Sequence, residues 1–195
     1  MLGQSPSSFS TSACPIFSAH LPSQLSRQIA ARCYAEDVAK RSAGLAMYRV
    51  RNGALEVLLV HPGGPFWAKK DKGAWFLPKG EVENGEAELS AAQREFEEEI
   101  GLRPAGPFFA LGSVKRKSGK IVAVWAFEGD CNPSAIHSNT FTTEWPPHSG
   151  KQQEFPEVDR AQFFTREAAR EKMHPEEFEF FTRLETSRSR GQGHR

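Results

Sequence analysis

Four glutamates, Glu95 and Glu97 to Glu99, occupy five positions of the segment "GEVENGEAELSAAQREFEEEIGL", Gly80 to Leu102. Like charges on one helix repel by about 0.2–0.5 kcal/mol per i,i+4 pair. A partner must offset that repulsion, or water must solvate the face. Placed on a helix at ~100° per residue, Leu89, Phe96 and Ile100 form one apolar stripe. Glu95, Glu98 and Glu99 then share an adjacent arc about 100° wide, because i, i+3 and i+4 are neighbours. Glu97 points away to solvent. Three carboxylates on one edge of a helix suit a hard, oxygen-loving cation, Mg²⁺ or Mn²⁺ rather than zinc. Arg94 precedes Glu98 by four residues and can pair with a carboxylate. A solvated acidic face is the plainer alternative.

The wider spacing bears on that choice. Gly80 is followed by five residues, Glu86, seven residues, and then Arg94-Glu95-Phe96-Glu97-Glu98-Glu99-Ile100-Gly101-Leu102. Seven fixed residues at about one in fifteen each coincide by chance on the order of once in 10⁸. The pattern resembles the Nudix box, Gly, x5, Glu, x7, Arg, Glu, hydrophobic, x, Glu, Glu, x, Gly, hydrophobic, with every defined position filled. The box covers Gly80 to Leu102, and the general layout of a Nudix hydrolase covers 40–186. The stretches "LLVHPGGPFWAKKDKGAWFLPKGE" and "EWPPHSGKQQEFPEVDRAQFF" look like a small Nudix subgroup of predicted nucleotide pyrophosphohydrolases.

The resemblance implies an α/β fold, the Nudix α/β/α sandwich with a mixed β-sheet between helices. It implies that the box binds Mg²⁺ or Mn²⁺ through Glu95, Glu98, Glu99 and the carbonyl of Gly80. Glu95 becomes a ligand or the general base, with Arg94 orienting it. Glu86 becomes the structural partner of Arg94. In families of this kind the base sometimes lies outside the box, and Glu144, Glu154 and Glu157 are candidates here. The reaction implied is attack of water on one phosphorus of a pyrophosphate, with a nucleoside phosphate leaving.

Lys79 adjoins the box, and Lys69, Lys70 and Lys72 crowd the preceding loop. Lysine is a good point charge for phosphate, so Lys79 and Lys70 are expected to bind substrate. Trp67, Trp75, Trp125 and Trp145 can stack on a base. Trp75 and Trp125 read better as core. Trp145, in "TTEWPPHSG", is the preferred stacking residue, with Glu144 beside it. His61 and His148 could contact phosphate, although a lone histidine usually does not. The "PKGE" junction resembles hydrolases of dinucleoside polyphosphates and diphosphoinositol polyphosphates. A dinucleoside polyphosphate or a nucleoside triphosphate is the expected substrate. A diphosphoinositol polyphosphate, an RNA cap and a non-catalytic nucleotide-binding role are the alternatives.

The rest of the chain must position these groups. The 195 residues carry a net charge of +1 and are 38% hydrophobic, enough for one ordinary domain and something extra. A near-neutral charge gives no pull toward DNA or membrane, and no run approaches the ~20 apolar residues of a span. The expected partner is a small nucleotide or polyphosphate. Cys14, Cys33 and Cys131 form neither a zinc spacing nor a disulfide framework. "SAGLAMYRV" and "LEVLLVHP" read as a hairpin around Asn52-Gly53. "WFLPKGE" reads as a short strand ending at Pro78, and "FFALGSVKR" and "KIVAVWAFEG" as two strands around "KSGK". Residues 131–155 read as a long loop with one strand near Ser138 to Trp145, ahead of two C-terminal helices and a flexible tail, 187–195. Residues 1–35 contain no Asp or Glu and much Ser, as in a transit peptide, and "RCYA" resembles a mitochondrial processing site. A mitochondrial location is expected, with a disordered tail on a cytoplasmic protein as the alternative.

Overall fold

Strand β1 (Arg41–Arg51) is the axis of the fold in a computed structural model that describes residues 40–192. Segment 1–35, expected to be a tail or targeting peptide, and residues 193–195 lie outside the described residues. The chain turns at Asn52 and Gly53, with φ of 52° and 78°, into β2 (Ala54–Pro62), which runs back antiparallel to β1. This is the two-residue turn that an Asn-Gly pair favours. Strand β3 (Lys79–Glu81) pairs antiparallel with the opening residues of β1. Strands β4 (Phe109–Lys115) and β5 (Ile121–Glu128) form a second hairpin, and β5 joins β1 in parallel. Strand β8 (Val158–Thr165) pairs antiparallel with β2. The mixed sheet has the order β4-β5-β1-β2-β8, with β3 beside β1.

Helices cover both faces of this sheet, so its central strands are apolar on both sides. Alternation assigns each residue to a face. Ala43, Leu45 and Met47 of β1, with Leu58 and Val60 of β2, pack against helix α1 (Glu88–Ile100) through Ala91, Ala92, Phe96 and Ile100. Ala46, Tyr48, Val57 and Leu59 face the other way. They meet α2 (Arg166–Lys172) and α3 (Phe178–Gln192) through Ala169, Phe180, Phe181 and Leu184. This is the expected α/β/α sandwich. Trp75 is buried in the second of these layers and Trp125 packs on the first, as expected for core tryptophans.

Three expectations need correction. The strand expected to end at Pro78 instead consists of isolated bridges at Trp75 and Phe76, followed by β3, which begins at Lys79. The long loop contains the strand expected near Ser138 to Trp145, β6 (Thr140–Glu144), but pairs it with an unexpected second strand, β7 (Gln152–Pro156), in a two-stranded sheet off the main one. Residues 187–192, expected as a tail, continue helix α3.

Candidate active site

Helix α1 projects Glu95, Glu98 and Glu99 from its last turns, and its final turn contains no basic residue. Carboxylates there face the negative end of the helix dipole, which disfavours them by about 0.3–1 kcal/mol each. The surroundings compensate in an orderly way. Arg94 donates from Nε and Nη2 to the two oxygens of Glu86, at 3.1 and 3.0 Å. Its Nη2 also donates to the carbonyl of Glu81 at 3.0 Å, and its Nη1 to Glu95 at 2.8 Å. The contact of Nη1 with Glu98, at 3.5 Å, is marginal. The bidentate pair holds Glu86 below the usual carboxylate range and the guanidinium above its own. Glu86 thus fixes Arg94, and Arg94 fixes the carboxylate of Glu95.

Gly80 lies directly beneath that carboxylate. A Cβ at position 80 would stand 1.8 Å from a Glu95 oxygen. Next to it, the backbone N–H of Lys79 donates to Glu99 at 3.1 Å. Burial pushes the Glu99 carboxyl up to about 8, with Lys79 opposing the shift and Glu95 and Glu157 adding to it. Burial raises Glu95 too, against Arg94, with Glu98 and Glu157 adding repulsion. Three acidic neighbours therefore crowd Glu95, in a setting where each negative charge costs more than it would in water.

Glu157 is the outside carboxylate that reaches this place. Its backbone N–H donates to the carbonyl of Asn139 at 2.8 Å, and its carbonyl accepts from Gly63 at 2.8 Å. Asn139 N–H in turn donates to the carbonyl of Glu98 at 3.1 Å, one of the free carbonyls at the end of α1. The helix terminus and Glu157 are thus linked through one residue. A cavity of about 80 Å³ lies between them, lined by Phe76, Leu77, Lys79, Glu99, Glu157 and Val158 among others. The other two candidates are engaged elsewhere. Glu144 accepts from Gly150 N–H at 2.7 Å and closes the turn of the β6–β7 hairpin. Glu154 accepts from the hydroxyl of Thr140 across the same hairpin.

The remaining candidates divide. Lys79 stands at the site, with its ammonium 3.1 Å from Glu177. Lys70 sits over the ring of Trp67, at 4.3 Å. Lys72 pairs with Glu171. Trp145 is half-buried and meets the exposed Phe66 edge to face, at 5.5 Å between centroids. His61 does not face a phosphate site. It is fully buried, with ring nitrogens 2.7 Å from Asp159 and 2.8 Å from the carbonyl of Lys70, and it ties β2 to β8 and to the lysine loop. Glu177 was not legible from spacing, since "HPEEFEFF" reads as an ordinary helix start.

The donor set consists of carboxylates and a glycine carbonyl, all oxygen, which fits Mg²⁺ or Mn²⁺. Among the described residues, no three acidic, His or Cys side chains are already gathered into a metal shell. Glu95 and Glu99 instead bond to Arg94 and to the Lys79 backbone. The crowding of like charge over Gly80 is the feature that a cation would relieve.

Comparison with known proteins agrees with this architecture. The NUDIX domain of Shewanella oneidensis NrtR, complexed with ADP ribose, superposes with a TM-score of 0.52 at 15% identity, over 80% of this chain and 91% of that one. A C. elegans Ap4A hydrolase binary complex superposes at 0.54 and 22% identity, over 77% and 98%. At these identities the likeness is one of fold. In sequence, RNA pyrophosphohydrolases of Francisella tularensis subsp. mediasiatica and subsp. tularensis are 45% identical over 49 residues, 25% of this chain. That match spans about a third of their length, 32%. The NUDIX domain itself matches residues 40–184, the greater part of the chain, and the protein belongs to that family.

Proposed function

We propose that the protein is a metal-dependent hydrolase of phosphoanhydride bonds, acting on a dinucleoside polyphosphate or a nucleoside triphosphate. The observation that carries this reading is the crowding of Glu95, Glu99 and Glu157 around Gly80 and Lys79. Glu95, Glu98, Glu99 and the Gly80 carbonyl would hold Mg²⁺ or Mn²⁺. Such an ion, when bound, neutralises phosphate charge and lowers the pKa of a bound water. Arg94 orients Glu95 and holds it in place. Glu95 is already tied to Arg94, so Glu157 is the better-placed group to take the proton of the attacking water at a carboxylate oxygen. Lys79 contributes positive charge beside the carboxylates. Lys70 is offered to a distal phosphate, and Trp145 with Phe66 to a base.

An RNA 5′ polyphosphate end is a second substrate class, favoured by the local likeness to RNA pyrophosphohydrolases. It presents the same anhydride chemistry. The acid-free residues 1–35 support delivery to mitochondria. The test is a panel of dinucleoside polyphosphates, nucleoside triphosphates, a diphosphoinositol polyphosphate and 5′-triphosphate RNA, each with Mg²⁺ or Mn²⁺, with products separated by ion exchange. Dinucleoside polyphosphates or nucleoside triphosphates are expected to be cleaved fastest. Binding of nucleotides without turnover of any member would point to a non-catalytic role.

A further inference from the structure

Among the described residues, Glu177 is the one fully buried carboxylate, and it belongs to no box. It lies in the turn that leads into α3, where its own N–H donates to the carbonyl of His174. Its Oε2 accepts from Leu77 N–H at 3.0 Å. Its Oε1 takes two cations, the guanidinium of Arg116 and, at 3.1 Å, the ammonium of Lys79. The face of Phe76 supports that ammonium from 4.6 Å. A buried carboxylate needs such partners. Here one of them is borrowed from the edge of the carboxylate site.

Lys79 is thus held at both ends by acids of opposite allegiance. Its backbone N–H is on Glu99, and its side chain is on Glu177. The stem of a lysine is flexible and its ammonium is a mobile point charge. Released from Glu177, that ammonium can turn toward Glu99, which lines the same small cavity together with Glu157 and already feels the lysine's charge. An ammonium paired with Glu99 would occupy the oxygens a divalent cation needs.

We propose that Glu177 is a positioning residue that draws the Lys79 ammonium away from Glu99 and so keeps Glu99 open to a divalent cation. This rests on the reading of Glu99 as a metal ligand. Arg116 stabilises Glu177 in that task, and Leu77 N–H fixes the direction of its carboxylate.

The test is direct Mn²⁺ binding to metal-stripped protein, read from the EPR signal of free Mn²⁺. The proteins are wild type, Glu177→Gln, Lys79→Met, the double variant and Glu99→Gln. Glu177→Gln keeps an oxygen for Leu77 N–H but loses its hold on the lysine. It is expected to bind Mn²⁺ at least ~10-fold more weakly, a coupling of the size seen between contacting charged groups. The double variant, with no ammonium left to intrude, is expected to recover most of that loss. A purely structural role for Glu177 would not be rescued by removing Lys79. Wild-type affinity in Glu177→Gln, or no recovery in the double variant, overturns the proposal. If Glu99→Gln weakens binding while Glu177→Gln does not, this inference falls and the site reading stands. If Glu99→Gln binds as wild type does, the site reading falls and takes this inference with it. Should Glu177→Gln not fold, Lys79→Met decides. Affinity equal to or above wild type supports competition by the lysine, and a clear loss overturns it.

Discussion

Gly80 and Glu95 approach each other more closely than any pair with two side chains could. A methyl group at Gly80 would lie 1.8 Å from one carboxylate oxygen and 2.2 Å from the other. The obstructed group is the far end of a flexible side chain, so it can move without disturbing the backbone. Gly80→Ala is therefore expected to fold and melt close to wild type, while Glu95 swings off Arg94. Activity should drop ~10²-fold, the cost of an ångström-scale misplacement. Thermal melting and kcat measured on the same preparation check both halves.

Glu98→Gln preserves shape and removes one negative charge from the site. Its side chain is 39% exposed, so the fold should be indifferent to the change. Activity is expected to fall by at least ~10²-fold. Near wild-type turnover would mean that Glu98 is only a solvated surface acid.

The raised carboxyls give the metal-free protein a distinctive pH response. Glu99 titrates near 8 in the folded chain, against about 4.3 for an ordinary glutamate. Between those values the folded state holds a proton that the unfolded state has lost. The stability this proton contributes is complete below about pH 4.3 and is lost as pH rises through about 8. Thermal melts in EDTA should decline over that interval. Mg²⁺ competes with the proton, so its stabilising effect should be larger at about pH 8.5 than at about pH 6. A melting temperature in EDTA that stays flat from about pH 5 to 8.5 would contradict this.

Trp145→Ala should remove ~1–3 kcal/mol of binding if the ring stacks on a base. The loss should appear mainly in KM, since stacking is much the same in the ground and transition states. A diphosphoinositol polyphosphate has no base and should be turned over almost as before. Equal effects on the two substrates would assign Trp145 to packing against Phe66 alone.

A fusion of residues 1–40 to a fluorescent protein is expected to enter mitochondria and to be cleaved near Ala35. Diffuse cytosolic fluorescence from an uncleaved fusion would reject targeting.

What could be read from the sequence was whatever obeys a period or a fixed spacing. The box helix announced itself through Phe96, Ile100 and the glutamates on the adjoining arc, and Asn52-Gly53 through its turn chemistry. Glu86 as the partner of Arg94 came only with the resemblance to the Nudix box. Strand β7, the partner of β6, did not show, because Gln152 to Glu154 are polar and exposed and carry no apolar alternation. Among Glu144, Glu154 and Glu157, only tertiary contacts distinguish a turn brace, a cross-strand partner and a neighbour of Glu99. Glu177 was hidden for the same reason. Its meaning depends on Leu77, Lys79 and Arg116, all at least sixty residues away in the chain.

The neck of the β6–β7 hairpin has a consequence of its own. Asn139 and Glu157 are hydrogen-bonded there, and the Ser138 hydroxyl both accepts from Val158 N–H and donates to the Val158 carbonyl, at 3.1 Å each. Everything from Thr140 to Pro156 hangs beyond that closure. The hairpin is an exchangeable head on a fixed collar. It could be lengthened, shortened or replaced without moving Glu157 relative to the end of α1. On the proposal that Trp145 holds a base, changing this hairpin would change the molecule chosen while the bond being broken stayed the same.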